Sequence, residues 1–242
     1  MVESLQNILE RAGALDAVRS VMLGQRVNDR VVWSATFDNP LHSQLLTAAV
    51  ATYTSMYQRP LPSVVDRVYA MKCVMWLFIR NQVGASAQWI DAYDEVARWL
   101  CSNDGRGLFL LGNCGTGKTM IVRDVVVPIV RALYGKVIHF FNATDLNSND
   151  ASAHFNGDMR EPLAWKMFKC VVIDDLGSEF VSDFRDLAMG VLTDEAEKNG
   201  KLLILTSNLS REELLERYGE RVVDRLTALT HRVVFNGKSF RC

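Results

Sequence analysis

The sequence predicts an α/β fold in which a parallel sheet is flanked by helices and preceded by a small α-helical domain. Two observations lead to this prediction. In the later part of the chain, short β-branched runs alternate with helical segments, which is the pattern of parallel strands joined by helices. In the earlier part, apolar residues such as Leu5, Ile8 and Leu9 recur at helical spacing. We therefore predict a helical domain, suited to partner binding, over residues 1–85 and an α/β domain over residues 86–242.

The apolar pattern also predicts the individual elements. Helices are expected over residues 5–22, 45–57, 64–79 and 89–100, the last of them ending at Asn103-Asp104-Gly105. Strands are expected over residues 107–111, 137–141, 170–173, 202–206 and 231–235. Their alternation with helical segments implies that the strands lie parallel in one sheet.

Composition narrows the functional classes. Of the 242 residues, 49% are hydrophobic and 23% are charged, as in an ordinary soluble globular protein. The formal net charge of −1 argues against bulk attraction to nucleic acid, so any DNA contact needs a local basic patch.

The cysteines and the apolar runs indicate the compartment. Cysteines stand at positions 73, 101, 114, 170 and 242, without a CxxC pair, which predicts a reducing environment and neither a disulfide framework nor a zinc site. Glu3, Glu10 and Arg11 interrupt the N-terminal apolar residues and exclude a signal-peptide core. The apolar stretch of residues 73–79 is too short to span a bilayer. We expect a cytoplasmic protein without membrane contact, or a nuclear one if the source is eukaryotic.

Residues 112–119 read Gly-Asn-Cys-Gly-Thr-Gly-Lys-Thr and complete the GxxxxGK[ST] pattern of a phosphate-binding loop. A predicted strand precedes this loop and a predicted helix follows it, which is the context in which the pattern binds phosphate. The glycines let backbone N–H groups turn toward phosphate oxygens, and the helix N-terminus adds its dipole. Lys118 is expected on the β- and γ-phosphates of ATP, and the Thr119 hydroxyl on Mg²⁺. The predicted nucleotide contacts are Gly112, Asn113, Cys114, Gly115, Thr116, Gly117, Lys118, Thr119 and Met120.

Two acids end the predicted strand over residues 170–173. A phosphate-binding loop of this kind needs a carboxylate at the tip of a neighbouring strand to hold the Mg²⁺ shell, and Asp174 fits that role. A second acid can orient or deprotonate the attacking water. Asp175 is the first candidate for this second role, and Glu179 is a weaker one.

The strand over residues 202–206 also ends in polar residues. Strand order in this fold class places such a tip between the phosphate-binding loop and the acid strand, so Asn208 is expected to bond the γ-phosphate or the lytic water. The alternative is that Asn208 or Ser210 caps the helix that follows, and Ser210 is the better cap.

Arg221 and Arg225 lie one helical turn apart near the C-terminus. They either form a solvated helix face with Glu220 and Asp224 as partners, or one of them is supplied to the γ-phosphate of a neighbouring subunit.

Together, five segments resemble the AAA+ ATPases of the DnaC/DnaI helicase-loader and IstB transposition-helper clade. The segments are residues 112–119, 173–177, 205–208, 218–226 and 233–241. The resemblance implies a P-loop NTPase domain of the AAA+ type, with a minimal or absent lid because only a short stretch follows Asn208. It also implies that Arg225 is a trans-acting arginine finger, Asn208 the first sensor and Arg241 a second sensor arginine that contacts nucleotide.

The resemblance favours an ATP-dependent loader that binds a hexameric replicative helicase, helps place it on single-stranded DNA and self-associates with ATP. Residues 146–168 then occupy the place of an extra helical element that in loaders faces DNA. An alternative is a transposition helper that binds duplex DNA with a steep salt dependence and recruits a transposase. A third possibility, a monomeric small-molecule kinase, would not need Arg225. The near-neutral composition favours the loader.

Overall fold

The computed structural model describes residues 22–27, 30–35, 67–134, 136–144, 168–179, 186–237 and 239–240. The helices predicted over residues 5–22 and 45–57 lie almost entirely outside this range, as do Arg241 and nearly all of the segment 146–168. Among the described helices, none combines the length and the apolarity needed to cross a bilayer.

Residues 22–35 contain a two-stranded sheet formed by β1 (Met22–Val27) and β2 (Arg30–Ala35). The helical prediction for the N-terminal part did not include this sheet. The local signal for it is nevertheless present, because β-branched valines and Trp33 flank Asn28-Asp29, a dipeptide typical of turns.

The first of two compact units contains α1 (Arg67–Val83), a short 3-10 turn (Gly84–Ser86), α2 (Ala92–Cys101) and residues 120–136. The two helices match the apolar runs predicted over residues 64–79 and 89–100. Seven of the ten residues of α2 are buried, and four of them recur at helical spacing along one face, namely Tyr93, Val96, Ala97 and Leu100. Lys72 of α1 forms an ion pair of 2.8 Å with Asp94 of α2.

The second unit holds the five-stranded sheet, in the order β4-β5-β6-β3-β7. Its strands are β3 (Gly107–Gly112), β4 (His139–Asn142), β5 (Cys170–Leu176), β6 (Leu202–Ser207) and β7 (Thr230–Phe235). All neighbouring strands are parallel. The predicted α/β fold class is confirmed, and all five predicted strands are present.

A helix, α3, covers residues 118–134 and changes its hydrogen bonding along its length. It begins as α-helix at Lys118–Met120, continues as π-helix over Ile121–Val126 and ends as α-helix at Val127–Tyr134. The wider π turns end two residues before Pro128, which has no N–H to donate and whose ring crowds the preceding turn of a regular α-helix.

Two further helices complete the second unit, α4 (Asp186–Asn199) and α5 (Arg211–Leu229). Buried residues of both helices form one hydrophobic cluster with buried residues of β3, β5 and β6. The Ser210 side chain accepts the Glu213 N–H, and the Glu213 carboxylate accepts the Ser210 N–H, so α5 begins with a complete capping box. At the other end, the Arg106 guanidinium donates to the carbonyls of Thr227, Ala228 and Thr230.

Candidate functional site

The loop between β3 and α3 has the backbone that its glycines allow. Gly112, Gly115 and Gly117 have φ angles of 141°, 81° and 88°, which residues with a Cβ rarely adopt. Gly112 also lies so close to the Phe235 carbonyl of β7 that a Cβ there would overlap it. Glycine is therefore required at this position twice over, by conformation and by space.

Lys118, at the start of α3, is buried although it is charged. Its ammonium group donates to the carbonyls of Gly112 and Asn113, at 2.6 and 2.8 Å. It also donates to the Asn208 side-chain oxygen, at 2.7 Å. The ammonium group is thus held within the phosphate-binding loop and in contact with the tip of β6.

Asp174, at the end of β5, is buried and receives two hydroxyl hydrogen bonds on the same oxygen. Thr119 Oγ1 donates to Asp174 Oδ1 at 3.1 Å, and Thr206 Oγ1 donates to the same atom at 2.6 Å. Hydroxyl and carboxylate oxygens are the ligands that Mg²⁺ prefers, and Mg²⁺ commonly uses one or two protein groups with phosphate and water as the rest. Thr119 and Asp174 therefore fit a magnesium site.

Asp175 adopts a left-handed backbone, with a φ angle of 58°, and its side chain is exposed. Aspartate tolerates this conformation better than most residues. The pairing of β5 with β6 shifts register between Ile173 and Leu176 at this point. The Asp175 carboxylate accepts a 2.6 Å hydrogen bond from the Asn208 amide. A solvent-accessible carboxylate thus stands beside the buried Asp174.

Asn208 joins the two halves of the site, because its amide oxygen accepts from Lys118 and its amide nitrogen donates to Asp175. β6 lies between β3 and β5, which is the strand order expected for a tip at this place. Ser210, and not Asn208, caps the helix that follows.

Glu179, the weaker candidate for the lytic water, is buried and has both carboxylate oxygens occupied. Oε2 accepts the Gly177 N–H at 2.8 Å, and Oε1 accepts the Tyr218 hydroxyl. Arg217 donates to the Glu179 carbonyl at 2.6 Å. Burial, together with the nearby Glu179 charge, raises the pKa of Tyr218 above its usual range, which keeps this hydroxyl a donor. These contacts give Glu179 a structural role at the turn after the two aspartates.

Arg225 of α5 forms ion pairs with two acids of α4. Its Nη1 contacts Asp194, and its Nε lies 3.3 Å from Glu197 Oε2. Its side chain is 21% exposed, whereas the Arg221 side chain is 76% exposed. Both arginines therefore lie nearest to acids of α4, Asp194 and Glu197. The alternative pairing with Glu220 and Asp224 of the same helix is not observed among the described residues.

Two features of the site were not predicted. Thr206 was given no role, although its hydroxyl contacts both aspartates of β5. Ser239 and Phe240, which precede the predicted nucleotide contact Arg241, were also given no role. The Phe240 N–H donates to the Gly115 carbonyl at 2.9 Å, and Ser239 occupies the space that a Cβ at Gly115 would need. A threonine at a strand tip is a weak signal, because β-branched residues are common in strands for packing alone.

Comparison with known proteins places the part of the chain that carries this site in a protein family. The family of IstB-like ATP binding proteins matches residues 81–242, which include every described residue of the site. A comparison with curated protein sequences finds no significant match.

Two solved structures have a similar fold. A crystal structure of the DnaC helicase loader is similar with a TM-score of 0.54 and 22% identity, over 67% of this chain and 98% of that chain. A structure of the replication initiator DnaA bound to AMPPCP and single-stranded DNA is similar with a TM-score of 0.51 and 20% identity, over 68% of this chain and 50% of that chain. At these identities, the likeness concerns the fold.

Proposed function

Because the chain belongs to the family of IstB-like ATP binding proteins, we propose that it is an ATPase that loads a hexameric replicative DNA helicase onto single-stranded DNA. The observation that carries the ATPase part is the run of contacts from Lys118 through Asn208 to Asp175. It places a phosphate-binding cation, an amide and an exposed carboxylate side by side, which suits attack by water on a γ-phosphate.

Each residue has a distinct task in this proposal. Lys118 and the loop N–H groups bind the triphosphate, and Lys118 then exchanges its contacts with protein oxygens for contacts with phosphate. Thr119 and Asp174 hold Mg²⁺, which, when bound, neutralises charge on the β- and γ-phosphates. Asp175 orients the attacking water and takes its proton, and Asn208 keeps Asp175 close to the γ-phosphate.

The nucleotide is ATP, and hydrolysis is proposed to depend on magnesium. The family's description as ATP binding supports the nucleotide, and the two oxygen ligands near the loop support the metal. A small-molecule kinase is disfavoured because the exposed Asp175 and Asn208 stand where a water would be activated, and because such an enzyme would not need Arg225.

Two observations support a loader over a transposition helper. The fold likeness to the DnaC helicase loader extends over 98% of that chain. The net charge of −1 also provides little attraction for duplex DNA. The family description favours the alternative, an IstB-like helper that binds duplex DNA and recruits a transposase.

A pull-down combined with a DNA-binding measurement tests the choice. Tagged protein is incubated with host lysate, ATP and a nuclease, and the captured proteins are identified by mass spectrometry. The Lys118→Ala variant, which should not bind ATP, is the matched control. In parallel, fluorescence anisotropy measures the affinity for single-stranded and duplex DNA over a range of salt concentrations.

We expect the wild-type protein, and not Lys118→Ala, to capture a hexameric helicase, and we expect weak binding to single strands. Capture of a transposase would overturn the loader proposal. So would tight binding of duplex DNA whose affinity falls steeply with salt, since a helper must hold duplex DNA by itself.

A further inference from the structure

We propose that Thr206 is a positioning residue that holds Asp174 and Asp175 in a fixed relation through one hydroxyl group. Thr206 lies on β6 and is 1% exposed. Its Oγ1 donates to Asp174 Oδ1 at 2.6 Å and accepts the Asp175 N–H at 2.8 Å. The inference rests on the proposed ATPase function, since it concerns the acids assigned to that reaction.

The geometry of the sheet explains why a side chain is needed here. Ile173 pairs with Leu205 and Leu176 pairs with Ser207, so two residues of β5 oppose one residue of β6. Such a bulge interrupts the backbone ladder and leaves one residue without its usual partner. The Thr206 hydroxyl takes the place of the missing carbonyl for the Asp175 N–H.

Only a hydroxyl can fill this position without other changes. It must accept from a backbone N–H and donate to a carboxylate at the same time, and a hydroxyl has both capacities on one atom. Valine has the same shape but neither capacity. It would leave a partly buried N–H without a partner and would remove one of the two bonds that orient Asp174.

Loss of the Thr206 hydroxyl should affect the use of Mg²⁺ but not the binding of nucleotide. The hydrogen bonds that hold the Lys118 ammonium group to Gly112, Asn113 and Asn208 do not pass through Thr206, so the loop should bind the triphosphate without this hydroxyl. The orientation of Asp174 does involve it, as does the backbone of Asp175. Loss of the hydroxyl should therefore weaken the response to Mg²⁺ and slow hydrolysis, with little change in metal-free nucleotide affinity.

The test compares Thr206→Val with Thr206→Ser, with Thr193→Val as a matched control. Thr193 is also fully buried, but its hydroxyl donates to the Met189 carbonyl within α4. For each protein, the affinity for a fluorescent ATP analogue is measured in EDTA and over a Mg²⁺ titration. Hydrolysis is measured in the same buffers, and thermal unfolding verifies that each variant is folded.

We expect Thr206→Val to lower kcat and to raise the Mg²⁺ concentration for half-maximal effect by about 10- to 100-fold, as is usual when a group that orients a metal ligand is removed. Its affinity in EDTA should stay within about threefold of wild type, a difference of about 0.7 kcal/mol. Thr206→Ser and Thr193→Val should keep the wild-type Mg²⁺ dependence.

Two results would overturn the proposal. One is a Thr206→Val protein with wild-type kcat and Mg²⁺ dependence. The other is a Thr206→Ser protein as impaired as Thr206→Val, because the shape of the side chain and not its hydroxyl would then matter. Should Thr206→Val not fold, the comparison of Thr206→Ser with Thr206→Ala decides in the same way. If the wild-type protein binds Mg²⁺ and ATP without hydrolysing ATP, the ATPase proposal fails, while the Mg²⁺-dependent affinity still tests Thr206.

Discussion

At the scale of single residues, two acids near the end of β5 have opposite surroundings. Asp175 is exposed and contacts Asn208, whereas Glu179 is buried among Gly177, Arg217 and Tyr218. The sequence alone left open which of them acts on water. The difference in surroundings assigns the chemistry to Asp175 in our proposal, and the stability of the turn to Glu179.

Substitution of the two acids should separate these roles. Asp175→Asn should lower kcat by about 100-fold or more, because the base is removed, with little change in stability. Glu179→Gln should lower the free energy of unfolding by about 1–3 kcal/mol, because it weakens the buried bonds of the carboxylate, and it should keep most of the kcat of the folded protein. Urea unfolding and steady-state ATP hydrolysis measure both quantities. A Glu179→Gln protein with wild-type stability and Asp175→Asn-like kcat would reverse the assignment.

The cysteines provide a probe of nucleotide binding at the same scale. Cys114 is exposed within the phosphate-binding loop, whereas Cys73, Cys101 and Cys170 are buried. Burial raises the pKa of the Cys73 thiol to about 12, so at pH 8 only about one part in 10⁴ is the reactive thiolate. A thiol reagent at pH 8 should therefore label Cys114 and spare Cys73.

Bound ATP should protect Cys114 from labelling. At an ATP concentration of about 100 times Kd, the labelling rate should fall by up to about 100-fold, since only the unliganded fraction reacts. A Cys242→Ser background removes the terminal thiol, and mass spectrometry locates the label. Lys118→Ala in that background should show no protection. If Cys114 of the Cys242→Ser protein, which retains Lys118, is labelled equally fast with and without ATP, nucleotide does not bind at this loop.

At the scale of secondary-structure elements, α5 consists of two helical segments that meet at a kink at Gly219. Gly219 has a φ of 76° and a ψ of 163°, which are not helical, although it lies between the two ends of α5 at Arg211 and Leu229. Such a backbone is almost restricted to glycine. A Cβ at Gly219 would meet no atom within 4 Å, so conformation and not space requires glycine here.

Two glycine substitutions should therefore have opposite signs. Gly219→Ala should destabilise the protein by about 1–3 kcal/mol, the cost of a non-glycine residue in this region of backbone space. Gly190→Ala in α4, where a Cβ also meets no atom within 4 Å, should stabilise it by about 0.5–1 kcal/mol. Chemical denaturation of both variants in one buffer gives the comparison. Stabilisation by Gly219→Ala would mean that α5 can straighten at no cost.

The same elements show what could be predicted from sequence. Each strand of the five-stranded sheet was recognisable because it contains a short run of apolar residues, as strands of a covered parallel sheet do. The predicted ends at residues 173 and 206 fell short, since β5 continues through the two acids to Leu176 and β6 continues to Ser207. The contacts of Glu179 with Arg217 and Tyr218 were not recognisable, because these residues are 38 and 39 positions away in the sequence and meet Glu179 only in the folded chain. The strands β1 and β2 were missed because the N-terminal part was assigned as helical from the apolar runs over residues 5–22 and 45–57, and the β-branched segment between them was given no element of its own.

At the scale of the whole molecule, Arg225 is the residue whose predicted role goes beyond one chain. In this chain, its guanidinium pairs with Asp194 and Glu197 of α4, and in the described residues it has no contact with Lys118, Asp174 or Asn208. An arginine finger supplied to a neighbouring subunit must present donors to that subunit's γ-phosphate. Arg225 has five N–H donors, and the pairs with Asp194 and Glu197 use Nη1 and Nε, so Nη2 remains for such a contact.

Mixing two inactive variants tests whether Arg225 acts in trans. Arg225→Ala should bind ATP normally but hydrolyse it at least about 10³-fold more slowly, since a finger arginine is worth 10³–10⁵ in kcat. Higher concentrations of Arg225→Ala alone should not restore activity. Lys118→Ala should not bind ATP, yet it carries an intact Arg225. Mixed assemblies pair a working nucleotide site with a working arginine, so the mixture should be far more active than either variant alone.

The double variant Lys118→Ala/Arg225→Ala should not restore activity to Arg225→Ala, and Arg221→Ala, which alters the exposed neighbour, should remain active by itself. If the mixture stays inactive while both variants still assemble, Arg225 acts within its own chain, and its pairs with Asp194 and Glu197 are then its function.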